Sequence, residues 1–252
     1  MKITFHIWMQ DGPETPGHFE VHVASQIEPE MSFLEALDLV NEERISQGRR
    51  AIEFDHDCRE GICGTCGVTI DGRPHGPLSA TTTCQLHMRS YADGDEITVE
   101  PFRANSFPIV RDLKIDRSAL DRIQQAGGFI STNIRTAPEA NSILIAREAA
   151  QAAFGAAACI GCGACVASCK NAAASLFTAA KVSHLSHLPQ GRIEGASRVV
   201  NMVQAMDAEG FGSCSNTEAC EAVCPQEITT DQIARMNSEY LWARLKTIAR
   251  PT

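Results

Sequence analysis

Two cysteine runs in the C-terminal half of the chain constrain its fold more than any other feature. The first run has the spacing C-x2-C-x2-C-x3-C and comprises Cys159, Cys162, Cys165 and Cys169. The second runs from Cys214 to Cys224-Pro225 in the same frame, except that Thr217 stands where the second cysteine would be. Soft thiolates at such close and regular spacing indicate that both segments fold around metal.

The complementary frames of the two runs predict a pair of iron–sulfur clusters. In chains with two such runs, three cysteines of one run and the last cysteine of the other hold the same cluster. This crossing predicts a [4Fe-4S] cluster on Cys159, Cys162, Cys165 and Cys224. It leaves three thiolates, which suit a [3Fe-4S] cluster, on Cys169, Cys214 and Cys220. The hydroxyl of Thr217 is a poor replacement for the absent thiolate, since such iron sites select soft sulfur ligands.

A third cysteine group lies in the N-terminal half and predicts a [2Fe-2S] cluster. Its spacing is C-x4-C-x2-C with a distant fourth member, and the four residues are Cys58, Cys63, Cys66 and Cys84. Gly61, Gly64 and Gly67 allow the backbone to curl around the cluster and direct N–H groups at its sulfurs. The alternative is a redox-inert thiol loop. We expect His87 to be a surface or packing residue, because a Rieske centre needs two Cys/His pairs and the sequence offers one.

Zinc binding and disulfide formation explain the cysteine pattern less well than iron–sulfur clusters do. A zinc site usually draws pairs of cysteines from two separated knuckles, which the in-frame second run does not resemble. The odd total of 11 cysteines and an N-terminus without a signal-peptide pattern disfavour a disulfide framework.

The net charge of −9 disfavours nucleic acid as a partner. No stretch approaches the ~20 apolar residues of a membrane span, so another chain would have to supply any anchor.

The N-terminal part has the pattern of a small sheet with one helix. Residues 3–8 and 19–25 read as two strands joined by a turn rich in glycine and proline. The capping box Ser32-Phe-Leu-Glu35 predicts the start of a helix that Gly48 ends. Two further strands are predicted, at residues 68–72 and 96–101.

The remainder has helical patterns. The irregular stretch from Pro101 to Arg117 predicts a domain junction, and a helix over residues 119–126 follows, capped by Asp116 or Ser118. Every regular element after Ile143 is expected to be helical. One amphipathic helix is marked by Val199, Val203 and Met206 and ended by Gly210. Another is started by a capping box at residues 229–232 and marked by Ile233, Met236, Tyr240, Arg244 and Ile248.

A long insertion, residues 170–213, separates the two C-terminal cysteine runs and carries two histidines. His184 and His187 are three residues apart, so they could share a helix face and bind a metal or a haem propionate. The alternative is a pair of solvated or core histidines, which is the commoner outcome and the one that we expect.

The order strand, strand, helix, cysteine loop, strand resembles that of small β-grasp ferredoxins. The chain as a whole resembles the iron–sulfur subunits of succinate dehydrogenase and fumarate reductase. Besides the two C-terminal runs, the resemblance rests on the segments Cys-Arg-Glu-Gly-Ile-Cys-Gly-Thr-Cys-Gly at 58–67 and Arg-Asp-Leu-Lys-Ile-Asp at 111–116. It implies an α+β chain: a β-grasp plant-type ferredoxin domain at 1–104, then an all-helical bacterial-ferredoxin-like domain at 105–252.

The resemblance also implies a function. In that family a flavoprotein subunit carries covalent FAD and the dicarboxylate site, and electrons pass from FAD through the two-iron, four-iron and three-iron clusters toward quinone at a membrane anchor. The chain would then carry no catalytic residue of its own and lie at the cytoplasmic face of the cell membrane, held by the anchor subunit. The other readings are the cluster subunit of a glycolate-oxidase-like or heterodisulfide-reductase-like complex and a zinc-stabilised interaction module.

One departure from the family concerns the quinone. Members with a ubiquinone pocket on this subunit usually have proline, tryptophan and histidine at three positions near the three-iron ligands. This chain has Lys170, Ala174 and Ser215 there. The resemblance therefore favours the menaquinone-linked bacterial members, in which quinone is reduced within the anchor, with haem on the anchor as a possible carrier.

Overall fold

A computed structural model describes residues 1–131, 139 and 141–248, and for residues 247 and 248 it describes the backbone alone. Its N-terminal part is a five-stranded sheet in the order β2-β1-β5-β3-β4, with one long helix, α1. The strands are β1 (Ile3–Met9), β2 (His18–Ala24), β3 (Val68–Ile70), β4 (Arg73–Pro74) and β5 (Glu96–Pro101), and α1 spans Phe33–Ser46. Strand β1 pairs antiparallel with β2 and parallel with β5. The four strands and the helix predicted from the sequence are confirmed.

Two local patterns explain where these elements form: alternating burial along β1 and a capping box at the start of α1. Along β1 the residues Ile3, Phe5 and Ile7 are fully buried, whereas the residues between them are half-exposed, which is the period of a strand with one face on the core. The Ser32 hydroxyl accepts the N–H of Glu35 at 3.2 Å, and the Glu35 carboxylate accepts the N–H of Ser32 at 2.6 Å. The predicted capping box is therefore formed.

The C-terminal part is helical. After a two-stranded ribbon of β6 (Ile109–Arg111) and β7 (Lys114–Ile115), the structure continues with α2 (Ser118–Gln125), α3 (Arg147–Ala157), α4 (Ala164–Ser168), α5 (Ser175–Ser186), α6 (Gly195–Ala208), α7 (Ala219–Ala222) and α8 (Asp231–Ile248). Helices α2, α3, α5, α6 and α8 pack around a second core. Beyond residue 143, helices are the only regular elements in the described chain, as predicted. No helix in the described ranges is long and apolar enough to cross a membrane.

Of the two predicted helix caps, one is displaced and one is wrong. The residue at the N-cap position of α2 is Arg117, and Asp116, one residue earlier, accepts the backbone N–H of Ser118 at 2.8 Å. The capping box expected at 229–232 is not formed, since the Gln232 Oε1 atom is buried without a hydrogen-bond partner. The Glu221 carboxylate accepts both the N–H of Thr230, at 2.6 Å, and its hydroxyl, at 2.9 Å. A side chain distant in sequence therefore replaces the local cap, which a local pattern cannot reveal.

The two cores interleave at the junction between the parts. Phe102 and Phe107 are buried in the helical core, whereas Leu113, further along the chain, is buried in the sheet core. The chain therefore passes from one core to the other and back before α2 begins. The domain boundary at 104/105 stays a prediction.

Asp112 fixes this junction to the sheet. Its side chain is fully buried and accepts two hydrogen bonds from Arg50, at 2.5 and 2.9 Å. It also accepts the backbone N–H groups of Gln10, at 2.8 Å, and Glu53, at 3.0 Å. Burial raises the pKa of Asp112, but Arg50 and the two N–H groups outweigh it, so that the pKa lies below its usual value of 3.8. The carboxylate is thus a charged, fully bonded link between the sheet and the following segment.

Arg198 has a similar role in the helical part. It is fully buried on α6 and donates to the carbonyls of Gly127, Gly191 and Phe129 at 2.6–2.9 Å. Its pKa is lowered by burial, which the nearby carboxylate of Glu194 partly offsets. These bonds hold the segment after α2 and the turn before α6 against the same helix.

Candidate metal centres

The predicted two-iron ligands lie on a loop between α1 and β3 and on a short 3-10 turn at Thr83–Gln85. The backbone N–H groups of Glu60 and Cys63 donate to Cys58 Sγ at 3.3 and 3.4 Å. The Thr65 hydroxyl lies 3.1 Å from Cys63 Sγ, and the Thr82 hydroxyl lies 3.2 Å from Cys84 Sγ. Arg59, Gly61 and Gly64 have left-handed backbone angles, which curl the loop so that its N–H groups reach sulfur.

The thiols of this group have different environments. Backbone N–H groups of Glu60 and Ile62 lower the pKa of Cys58 to about 7. Burial, together with the charge of Cys84, raises the pKa of Cys66 to about 12. Bound iron deprotonates a coordinating thiol outright, so burial of Cys66 is no obstacle to ligation. Three thiols on the loop and one on the 3-10 turn, with N–H donors directed at sulfur, fit an anionic [2Fe-2S] cluster.

A cavity in the helical part brings together the four predicted ligands of the four-iron cluster. Cys159, Cys162, Cys165 and Cys224 line it with the apolar side chains of Leu176, Phe177, Pro225 and Ile228. Burial raises the pKa of the Cys162 thiol to about 12 and that of Cys165 well above its usual value. The N–H of Ile228 donates to Cys224 Sγ at 3.4 Å. Four thiols around an apolar cavity fit a [4Fe-4S] cluster.

A neighbouring cavity holds the remaining three cysteines. Cys169, Cys214 and Cys220 line it together with Thr217, Ser175, Thr230 and Ile233. The N–H of Asn216 donates to Cys214 Sγ at 3.4 Å. Leu176 lines both cavities and therefore lies between them. Three thiols without a fourth are the donor set expected for a [3Fe-4S] cluster.

No single-ion site competes with these cavities in the described ranges. Within residues 1–131, 139 and 141–248, no three His, Cys, Asp or Glu side chains are arranged to hold one metal ion. His184 lies in the last turn of α5, where burial lowers its pKa, and His187 follows at the end of the same helix. His87 is half-buried, with its Nδ1 3.0 Å from the Gln85 carbonyl.

The three positions that depart from the ubiquinone pattern lie near the three-cysteine cavity. Ala174 is fully buried at the N-cap of α5, and Lys170 and Ser215 are exposed. Two of the three side chains therefore face solvent in this chain.

The two-iron loop (residues 58–66) and the four-iron loop (residues 159–165) touch through their backbones. A Cβ atom placed on Gly64 would lie 2.4 Å from the carbonyl oxygen of Ile160, so the contact requires glycine. Arg117 bridges the same loops: its Nη1 donates to the carbonyl of Gly64, and to those of Gly161 at 3.0 Å and Cys162 at 3.4 Å. No sequence pattern singles out Arg117 as a bridging residue. The one signal is its place directly after the segment at 111–116, which leads from one cluster domain to the other.

Comparisons with known proteins assign a cluster-binding family to each part of the chain. The family described as 2Fe-2S iron-sulfur cluster binding domain matches residues 4–122, and the family described as 4Fe-4S dicluster domain matches residues 155–228. The chain is 26% identical over 245 residues to the succinate dehydrogenase iron-sulfur subunit of Bacillus subtilis, covering 94% of this chain and 92% of that protein. It is 26% identical over 215 residues to the fumarate reductase iron-sulfur subunit of Wolinella succinogenes, covering 84% of each.

A solved structure has the same fold. It is described as the Mycobacterium smegmatis Sdh1 complex in the apo form, and it matches 97% of each chain with a TM-score of 0.73 at 20% identity. The predicted α+β fold, a two-iron ferredoxin domain followed by a helical cluster domain, is confirmed. With both cluster-domain families and relatives of nearly full length in agreement, the chain belongs to the family of iron–sulfur subunits of succinate dehydrogenase and fumarate reductase.

Proposed function

We propose that this chain is the electron-transfer subunit of a succinate:quinone oxidoreductase. In that role, its clusters accept electrons one at a time from the FAD of a flavoprotein subunit and pass them toward quinone in the membrane. The proposed domains are residues 1–104, with the two-iron cluster, and 105–252, with the other two. The dicarboxylate site belongs to the flavoprotein partner, so no residue of this chain is proposed to be catalytic.

The observation that carries the proposal is the separation of two cysteines in one short run. Cys220 and Cys224 are four residues apart, yet they line different cavities, each with cysteines of the first run. Crossed ligand sets of this kind are typical of a protein that holds two clusters close together. The proposed ligands are Cys58, Cys63, Cys66 and Cys84 for [2Fe-2S], Cys159, Cys162, Cys165 and Cys224 for [4Fe-4S], and Cys169, Cys214 and Cys220 for [3Fe-4S].

The protein residues around each site support electron transfer rather than substrate chemistry. Apolar side chains line the four-cysteine cavity, and backbone N–H groups direct positive dipoles at sulfur in all three sites. Burial and hydrogen bonds to sulfur are the means by which a protein sets the potential of a cluster, within a range of roughly −700 to +450 mV.

The partners and location follow from the same proposal. The chain is proposed to bind a flavoprotein subunit and a membrane-anchor subunit at the cytoplasmic face of the cell membrane. The side chains Lys170, Ala174 and Ser215 favour a quinone site within the anchor, with menaquinone as the quinone and haem on the anchor as a carrier.

The test is reduction of the clusters by succinate. The complex is purified from native membranes through this chain, and electron paramagnetic resonance spectra are recorded before and after succinate is added. We expect an oxidised three-iron signal that disappears on reduction and a two-iron signal that appears. The chain expressed alone, with its clusters intact, is expected to respond to dithionite but not to succinate.

Two results would contradict the proposal. Co-purification with a different oxidoreductase and no response to succinate would favour another cluster complex. A colourless protein that contains zinc in place of about nine irons and ten acid-labile sulfides per chain would favour an interaction module.

A further inference from the structure

Arg117 occupies the contact between the two-iron loop and the four-iron loop. Its Nη1 is shared by carbonyls from both: Gly64 next to the ligand Cys63, and Gly161 and Cys162 of the first C-terminal run. The bridged carbonyls lie 44 to 53 residues away in the chain, so this side chain joins segments that sequence does not bring together. It does so from the N-cap of α2, directly after the junction that links the two cores.

The described partners of the Arg117 guanidinium are backbone carbonyls. Among the residues that the structure describes, no acidic side chain forms an ion pair with it. An arginine guanidinium carries a positive charge. A positive charge in a partly buried site stabilises a neighbouring group that gains negative charge, and each cluster gains one negative charge on reduction.

We propose that Arg117 is a positioning residue for electron transfer, which holds the two-iron and four-iron loops in contact and whose charge raises the midpoint potential of both clusters. This inference rests on the proposed cluster ligands. Gly64 has the complementary role, because its left-handed backbone (φ +72°) and missing side chain let it lie against the Ile160 carbonyl. Electron transfer between the two clusters depends on this contact, since the gap between them is set by how closely their loops approach.

Lys181 provides a natural comparison. Its ammonium donates to the carbonyl of Cys159 at 2.9 Å and lies 5.8 Å from the centre of the Phe177 ring. Both of these partners are on the four-iron side. Because Lys181 contacts one of the two loops and Arg117 contacts both, replacing each residue should change the two midpoint potentials in a different pattern.

The experiment compares Arg117→Met, Arg117→Lys and Lys181→Met in the purified complex. Arg122→Met is the matched control, because Arg122 is on the same helix and pairs with Glu209 at 2.6 Å. Redox titration followed by electron paramagnetic resonance gives the midpoint potential of each cluster. Spin relaxation of the reduced two-iron cluster reports its magnetic interaction with the reduced four-iron cluster, which depends on their separation.

We expect Arg117→Met to lower the potential of both clusters and to slow the spin relaxation of the two-iron cluster. Arg117→Lys keeps the charge and is expected to restore most of the potential. Lys181→Met is expected to lower the four-iron potential more than the two-iron potential, and Arg122→Met neither. Unchanged potentials and relaxation in Arg117→Met, relative to Arg122→Met, would overturn the inference while leaving the proposed function intact.

Gly64→Ala tests the contact independently, in case Arg117→Met loses its clusters. The added methyl group must push the loops apart, so we expect slower relaxation with Arg117 still present. A Gly64→Ala protein with both clusters and wild-type relaxation would equally overturn the inference. A wild-type protein without two-iron and four-iron signals would instead refute the proposed function, and the inference with it.

Discussion

The sharpest test of the fold is Asp112→Asn, which removes one charge and adds no volume. In the wild type the carboxylate accepts two hydrogen bonds from Arg50 and two from backbone N–H groups. An asparagine in this place can still accept a backbone N–H, but it cannot form the ion pair. The guanidinium then loses its buried partner at the junction of the two cores.

The expected cost follows from these contacts. A hydrogen bond to a charged group contributes about 1.5–3 kcal/mol, and breaking a buried ion pair costs about 3–5 kcal/mol. Asp112 is fully buried, but about a third of the Arg50 side chain is exposed, so we expect the lower end, about 3 kcal/mol. For a chain of this size, that corresponds to a fall of roughly 6–12 °C in the thermal transition.

The assay is thermal unfolding by circular dichroism at one scan rate, with clusters intact. Glu30→Gln is the control, since Glu30 pairs with Arg89 at 2.5 Å but both side chains are largely exposed. Such a surface pair contributes at most about 1 kcal/mol. If Asp112→Asn lowers the transition no more than Glu30→Gln does, the role assigned to Asp112 is wrong.

The contribution of Asp112 to the free energy of unfolding is expected to depend on pH. Because the pKa of Asp112 is lower in the folded protein than in the unfolded chain, its contribution to stability is complete above its usual value of 3.8. That contribution is lost as the pH falls below 3.8 and through the folded pKa. The difference in stability between wild type and Asp112→Asn should therefore be constant near neutral pH and shrink in acid. A difference that grows in acid would contradict the assignment.

Three further predictions concern the helical domain. Cys224→Ser should remove the four-iron signal and Cys220→Ser the three-iron signal in electron paramagnetic resonance; loss of the two-iron signal alone in either variant would contradict the crossed ligands. Thr217→Cys supplies the missing thiolate, so we expect iron to rise from about nine to about ten per chain, the oxidised three-iron signal to vanish and quinone reduction to slow; an unchanged signal would count against Thr217 as the vacant ligand position. Arg198→Met leaves three carbonyls without their donor and should lower the free energy of unfolding by about 3–5 kcal/mol. The measurement is unfolding in urea at constant cluster content. A change below about 1 kcal/mol would show that water replaces the guanidinium.

Sequence patterns predicted the parts of this protein that obey local rules. The period of two along β1 and the capping box at Ser32 depend on near neighbours in the chain, and both are formed as expected. The cysteine spacing allowed each candidate ligand set to be named, because cluster geometry limits how ligands are spaced. The two C-terminal sets do line separate cavities.

The features that sequence did not reveal depend on contacts beyond the reach of a local pattern. Arg117 and Arg198 donate to carbonyls 44 and 71 residues away in the chain. Glu221, which takes the place of the 229–232 capping box, lies 9 residues from Thr230. Nothing in the neighbouring residues marks these side chains, since their partners are mostly backbone carbonyls, which every residue has. Only the folded structure shows where those carbonyls lie.

The interleaving of Phe102, Phe107 and Leu113 has a consequence for anyone who divides the chain. A cut at 104/105 would leave the N-terminal fragment without Leu113 in its core and with Phe102 exposed, and the C-terminal fragment without Phe102. Neither piece would carry a complete interior of its own. The two halves therefore depend on each other for folding, since each core buries a side chain that the other half contributes.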